Sequence, residues 1–163
     1  MNYIRSRFCE LVEHLKTKLK TMQIAPENFQ AEISQMVVAS GGHNETTEGW
    51  HLTDLHYRGV FLVERMPQQS AIMLILHCRA WLDDNDDTRD RYRLPDPDAA
   101  LVPLDASGLV DLILTVDFVD PVFLAEAENG EIAWNGRRFA PVDFDLWIAE
   151  RGRVNGAPAE PET

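Results

Sequence analysis

The stretch YRGVFLVERMPQQSAIMLILHCRAWL, residues 57–82, decides the fold because its hydrophobic pattern changes at a single proline. Before Pro67 the side chains alternate and are rich in β-branched and aromatic types, which predicts a strand from Trp50 to Arg65. After Pro67 almost every residue is apolar, which predicts a helix from Gln68 to Leu82. A helix with so little polar surface is expected to be deeply buried and covered on more than one side, by the sheet or by a neighbouring subunit.

The chain on the N-terminal side of this stretch predicts one more helix and one more strand. Apolar residues recur at spacings of three and four over residues 2–22, which predicts an amphipathic helix. Pro26 marks the end of this helical region. From Phe29 to Val37 the period falls to two, as in a half-buried strand. The glycine-rich and polar residues 41–49 then predict a loop.

The chain on the C-terminal side predicts a long loop followed by further strands. Residues 83–108 show no convincing period and contain three prolines, so we expect a loop there. Leu109 to Leu124 alternates strongly and predicts a strand. Two Asn-Gly turn signals bracket residues 132–134 and predict a small meander, and residues 142–148 predict a last strand.

These elements predict an α+β fold with a mostly antiparallel sheet. The sheet is packed by the amphipathic N-terminal helix and by the buried central helix, and no βαβ series is apparent. We expect a single domain over residues 1–151 with its long loop at 83–108. Residues 152–163 are rich in Gly, Pro and Glu and are expected to form a flexible tail.

The charge of the chain limits its partners. It carries 27 acidic and 15 basic residues, a formal net charge of -12. Such a chain repels phosphate backbones and anionic membrane surfaces, so direct binding to DNA or to a membrane is not expected. Its longest strongly apolar run, residues 71–78, is far shorter than the roughly 20 residues of a membrane span. The N-terminus shows no apolar signal region, and we expect a soluble intracellular protein.

The cysteines indicate neither a disulfide framework nor a zinc site. Cys9 and Cys78 lie 69 residues apart in predicted helices and are expected to be buried apolar side chains. The histidines have no metal-ligand spacing. In the acidic run that begins at Asp83, Thr88 replaces the turn glycine and Leu94 the terminal glutamate of a calcium loop. We therefore expect no metal and no other cofactor.

Motifs for catalysis are also missing from the pattern. The serines lie outside any G-x-S-x-G elbow, and Gly41-Gly42 is only a turn rather than a phosphate loop. Carboxylates are too abundant for one pair to be singled out as a catalytic dyad. The sequence therefore predicts a protein that is not an enzyme and that acts by assembling with other proteins.

Three segments in succession resemble a known family. Tyr57 to Val63 is followed by Ile72 to Leu82, which ends in Ala-Trp-Leu, and after a variable loop by Val110 to Val116, which begins Val-Asp-Leu. This succession resembles the tail completion protein R (GpR) family of Peduovirus-type contractile-tailed phages, over roughly residues 8–125. Tail-terminator and head–tail joining proteins form a sister class, and the fold is expected to be tail-terminator-like.

The resemblance implies a virion structural protein that completes the tail and joins it to the neck. It implies a subunit of a ring, expected to be a hexamer, whose partners are its own copies, the tail tube or sheath and the neck proteins. DNA is expected only to pass through the lumen. The resemblance places the protein in the tail or neck of the virion, and in the host cytoplasm during assembly.

The segment after the central helix offers candidate interface residues. Tyrosine and arginine are favoured anchors at protein interfaces, and here they lie beside an acidic run. The candidates are Arg89, Arg91, Tyr92 and Arg93. One alternative is a small acidic adaptor or immunity-type protein that binds a basic partner as a monomer. An enzyme with a pocket of perturbed titratable groups is the third interpretation.

Overall fold

A computed structural model describes residues 4–142, 144–145 and 149–151 of the chain. The helices are α1 (Arg7–Lys16), α2 (Gln68–Asn85) and α3 (Thr88–Arg91), with a 3-10 turn at Pro26–Asn28. The first five strands are β1 (Ile4–Arg5), β2 (Phe29–Ser40), β3 (Glu45–Thr46), β4 (Gly49–Pro67) and β5 (Asp98–Pro103). The remaining strands are β6 (Leu109–Glu126), β7 (Ile132–Trp134), β8 (Arg137–Pro141), β9 (Phe144–Asp145) and β10 (Ala149–Arg151).

One antiparallel sheet dominates the fold. Its strand order is β10-β2-β4-β6-β8-β7, with β3 added beside β4 and β5 added beside β6. The long strands β4 and β6 form its centre, and the short strands β1 and β9 form a separate parallel pair. This architecture confirms the predicted α+β fold with a mostly antiparallel sheet.

The core lies between one face of the sheet and the helices α1 and α2. On β4 the core-facing side chains are Tyr57, Phe61 and Val63, which are all buried. The ring of Phe8, from α1, lies directly over Gly59, where a Cβ atom would stand 2.5 Å from the ring. Glycine at this position therefore lets the helix approach the sheet closely. Both cysteines are buried in helices, as predicted.

The helices differ from their predicted form in length and in burial. The first helix ends at Lys16, and the chain continues in turns to Gln23, although the apolar spacing runs to residue 22. Within the single chain, the central helix is buried on one side rather than on more than one. It buries Ala71, Leu74, Cys78 and Leu82 against the core, while its opposite side is exposed.

The segment 83–108, predicted to be a loop, contains regular structure. It holds the last turn of α2, the short helix α3 and the edge strand β5. A six-residue strand that pairs only on one side leaves no strong period in the sequence. Of the last strand predicted at 142–148, the structure describes Phe144–Asp145 as strand, and residues 143 and 146–148 lie outside the described residues. The predicted tail at 152–163 also lies outside them.

Candidate interaction surfaces

Large apolar side chains are exposed in three places on the described part of the chain. The first is the β2 edge, Gln35–Ser40, and the second is the α2 stripe, Ile72, Met73 and Leu76. The third is the β5 edge, Asp98–Pro103, together with Ile113 on the adjacent strand β6. Contiguous exposed apolar surface in a protein with many charged residues indicates contact with another molecule.

The β2 edge is a strand paired on one side. Residues Gln35–Ser40 pair with β4, while β10 pairs only with the first part of β2, at Gln30–Glu32. No strand that the structure describes pairs with the other side of Gln35–Ser40. Val37 and Val38 are 64% and 69% exposed there. Proteins usually protect such an edge with charges, yet this one carries none.

The β5 edge lies on the opposite side of the same sheet. Asp98–Pro103 pairs with β6 at Val110–Thr115, and all six residues of β5 are exposed. Among the described strands, β6 is its one partner. Residues 99–103 are uncharged, and Leu101 and Val102 are exposed. The sheet therefore has an uncharged, unpaired segment on each of its two sides.

The α2 stripe follows from the near-continuous apolar sequence of the central helix. One side of α2 packs into the core. The apolar side chains on its other side point away from the core. Ile72, Met73 and Leu76 lie three and four residues apart and share this outer side, where Leu76 is 54% exposed. The strip is compatible with a hydrophobic partner surface.

A buried polar cluster fixes α1 and the end of α2 against the sheet. Asp120, on β6, accepts hydrogen bonds from Arg7 Nη1 at 2.9 Å and from the hydroxyl of Tyr57. The Arg7 guanidinium also pairs with Asp86 at 3.1 Å. Burial raises the pKa of Asp120, although Tyr57 and Arg7 act in the opposite direction. Burial and the Asp120 carboxylate both raise the pKa of Tyr57, so the phenol stays protonated.

Arg89 of the predicted interface faces inward. Its side chain is 8% exposed, and its Nη1 donates to the Asp117 carbonyl at 2.8 Å. Its Nη2 donates to the Pro95 carbonyl at 2.5 Å, and the guanidinium pairs with Asp86 at 3.5 Å. Asp117 lies in the part of β6 between the segments paired to β5 and β8. Arg89 therefore caps a strand edge within its own chain.

The other three predicted interface residues lie close together at the surface. Arg91 and Arg93 are exposed, and Arg91 pairs with Asp87 at 3.7 Å. Tyr92 is half-buried, and its hydroxyl donates to Asp54 at 3.2 Å. Their role at an interface stays a prediction.

The two strand edges were not predicted as functional surfaces from the sequence. The sequence does contain a signal for the edges. Residues 33–40 and 99–103 are free of charge in a chain in which 26% of the residues are charged. An uncharged run at the end of a strand is a recognisable sign of an unprotected edge.

The described residues hold no group of three or more His, Cys, Asp or Glu side chains arranged for a metal ion. His51 accepts a hydrogen bond from the Gly42 amide at its Nδ1, at 2.8 Å, and its Nε2 lies 2.7 Å from Asp54. This arrangement holds the 41–44 loop to β4. In the described ranges no helix is long and apolar enough to cross a membrane.

The fold and its surfaces define an α+β protein with one sheet face packed by helices and with uncovered apolar edges. Comparison with known families places this protein among phage tail proteins. Residues 7–142 match the family model of P2 phage tail completion protein R (GpR), and the chain belongs to this family. The prediction of the family from the sequence is confirmed.

One relative extends the comparison to a second phage. It is the uncharacterized 19.2 kDa protein in the rep-hol intergenic region of Haemophilus phage HP1 (strain HP1c1). It is 28% identical over 129 residues, which cover 76% of this chain and 75% of the relative. No solved structure matches the chain. Membership of the family gives the chain a structural role in the phage tail, in association with other tail proteins, and points away from an enzyme.

Proposed function

We propose that the chain is the subunit of a ring that completes the tail and joins it to the neck. The ring is expected to contain six copies, and the protein is expected in the host cytoplasm during assembly and in the tail or neck of the virion. The supporting observation is the distribution of exposed apolar side chains over three separate surfaces. A ring subunit needs one surface for each of its two neighbours and a third surface for the structure on which the ring sits.

The positions of these surfaces fit this division of roles. The β2 edge and the β5 edge lie on opposite sides of the sheet, as head-to-tail contacts require. The α2 stripe lies on a helix that packs over the sheet, so it is available to a tube, sheath or neck protein. In this arrangement the net charge of -12 keeps DNA in the lumen from adhering to the ring.

The solution mass of the full chain, measured by light scattering and followed by negative-stain imaging, tests the ring. We expect a mass near six chains and ring-shaped particles, either for the purified protein or for the protein co-expressed with tail proteins. A protein that stays monomeric in both settings and is missing from purified tails would contradict the proposal.

The role of the α2 stripe as the docking surface is tested by changing Leu76 to lysine. This residue is 54% exposed, so the substitution is expected to leave the unfolding midpoint nearly unchanged. Rings are expected to form, while their attachment to tails is lost. Asp84→Lys, at an exposed position of the same helix, is the matched control for a new positive charge. Equal attachment of the two variants would show that the α2 stripe is not the docking surface.

A further inference from the structure

We propose that the β2 edge of one copy pairs with the β5 edge of the next, so that the sheets of all copies form one closed barrel. This inference rests on the proposed ring, and it names the contact that closes it. The occupant of each edge is a second copy of this chain. The α1 and α2 helices lie outside the barrel, and the sheet face opposite to them lines the bore.

The two edges match in length, charge and direction. Each has six residues, and neither carries charge apart from Asp98 at the start of β5. Strands β2 and β6 run in the same direction, and β5 runs against them. A neighbour in the same orientation therefore presents its β2 antiparallel to β5, which is the pairing of the rest of the sheet.

Backbone alternation identifies the groups that are free to pair. Asp117 lies on the bore-facing side with Arg58, and its carbonyl points away from β4, since it accepts a hydrogen bond from Arg89. In an antiparallel ladder, residues whose side chains share a face direct their backbone groups to the same side of the strand. The same alternation applies to β4 and then to β2. On β2 it directs the N–H and C=O groups of Met36 and Val38 to the unpaired side of the strand.

The same alternation directs the backbone groups of Ala99 and Leu101 to the unpaired side of β5. Two registers pair at least two outward-directed residues of β2 with outward-directed residues of β5. One sets Met36 opposite Leu101, and the other sets Met36 opposite Pro103, which has no N–H to donate. The first register retains every hydrogen bond and also places Val37 opposite Ala100 on the bore side.

The stagger of the two edges sets the geometry of the ring. In this register a neighbour is displaced by six residues along the strands, about 20 Å, and by four strand spacings across them, about 19 Å. With the strands inclined at about 45° to the ring axis, every copy lies at the same height along the axis, so the barrel closes. A tilt of this size is typical of closed barrels. Six copies give a barrel about 53 Å in diameter, from the same strand spacings, which leaves room for a DNA duplex.

The direction of the stagger decides which face lines the bore. Strands of closed barrels coil with one hand because of the right-handed twist of β-structure. Seen from α1 and α2 with β6 pointing up, the β2 edge lies on the right and higher, and the β5 edge lies on the left and lower. With this arrangement the strands coil with the required handedness only if α1 and α2 lie on the outside of the barrel. The bore then carries Glu32 and Asp98, whose charge repels DNA, together with the Arg58–Asp117 ion pair.

Disulfide cross-linking of the full chain tests the contact. Directly opposed residues of an antiparallel pair are close enough for a disulfide, and diagonal neighbours are not. The variant with Val37→Cys and Ala100→Cys is expected to oxidise into a ladder of up to six covalently joined chains in rings or tails. Val37→Cys with Val102→Cys is the control and is expected to cross-link at least tenfold less. Both native cysteines are buried and do not interfere.

A second variant separates this contact from the ring itself. Val38→Pro removes one N–H from the unpaired side of β2 and keeps the pairing of β2 with β4, and Val38→Ala is its matched control. We expect rings from Val38→Ala and none from Val38→Pro, at similar unfolding midpoints. Intact rings from Val38→Pro, or rings in which the control pair cross-links as well as the test pair, would overturn the strand pairing and leave the proposed ring standing. A wild-type chain that forms no ring would overturn the ring as well.

Discussion

Changing Asp120 to asparagine tests how far the buried polar cluster stabilises the fold. The carboxylate is 2% exposed and accepts hydrogen bonds from the Arg7 side chain at 2.9 Å and from the hydroxyl of Tyr57. The Arg7 amide, at 3.3 Å, makes a further contact with it at the start of α1. The asparagine keeps the shape of the side chain, but it removes the charge and turns one acceptor into a donor.

The expected loss follows from the partners that remain. Removing one member of a buried ion pair costs about 3–5 kcal/mol. Arg7 keeps Asp86 at 3.1 Å and Asp87 at 3.2 Å, so we expect the lower end, about 3 kcal/mol in the free energy of unfolding. In urea unfolding followed by tryptophan fluorescence this corresponds to a midpoint lowered by about 1.5 M.

A second aspartate on the same strand provides the control. Asp117 pairs with Arg58 at 2.8 Å, but the Arg58 side chain is 40% exposed, so Asp117→Asn is expected to cost less than about 1 kcal/mol. If Asp120→Asn lowers the midpoint no more than Asp117→Asn does, the buried polar cluster stabilises the fold no more than an exposed ion pair. Far-UV circular dichroism of both variants checks that the comparison concerns folded proteins.

Three further predictions concern the packing of the core, the stability of the fold at alkaline pH and the surface arginines. Gly59→Ala places a Cβ against the Phe8 ring and is expected to cost about 1–3 kcal/mol, measured by urea unfolding. Burial raises the pKa of Cys78 from 9.0 to about 12, so the folded thiol stays neutral where the unfolded one ionises. The free energy of unfolding should therefore fall as the pH rises from about 9 towards 12, and less steeply in Cys78→Ala. The double variant Arg91→Ala with Arg93→Ala should keep its unfolding midpoint, because both side chains are exposed. It should lower the yield of assembled tails if these side chains contact a partner, as predicted.

Several features that depend on neighbouring residues in the sequence were predicted correctly. The alternation in Tyr57–Val63 and Leu109–Leu124 identifies the strands β4 and β6, and the buried side chains follow the same alternation. The Asn135-Gly136 turn has positive φ at both residues, as its type requires, and it joins β7 to β8. Short-range stereochemistry determines these features, so a single sequence contains them.

Features that depend on distant partners were not predicted. The apolar sequence of α2 indicates burial, but the single sheet face beneath it covers only one side, and Leu76 is left exposed. The pairing of β5 with β6 is decided by a strand that follows it in the chain. Arg89 looks like a surface anchor in the sequence, and it is buried because a carbonyl on β6 lacks a strand partner. Each outcome depends on what the rest of the fold provides.

The two unprotected edges are informative because neighbouring parts of the same central strands are covered. Arg89 caps the exposed carbonyl of Asp117, β10 covers the start of β2, and β3 covers the start of β4. An unpaired, uncharged strand invites pairing with other chains, so it is a liability in a protein that acts alone. The liability becomes an assembly site when two such edges lie on opposite sides of one sheet, match in length and fit in direction. The combination of protected and unprotected edges thus favours a defined head-to-tail contact over general aggregation.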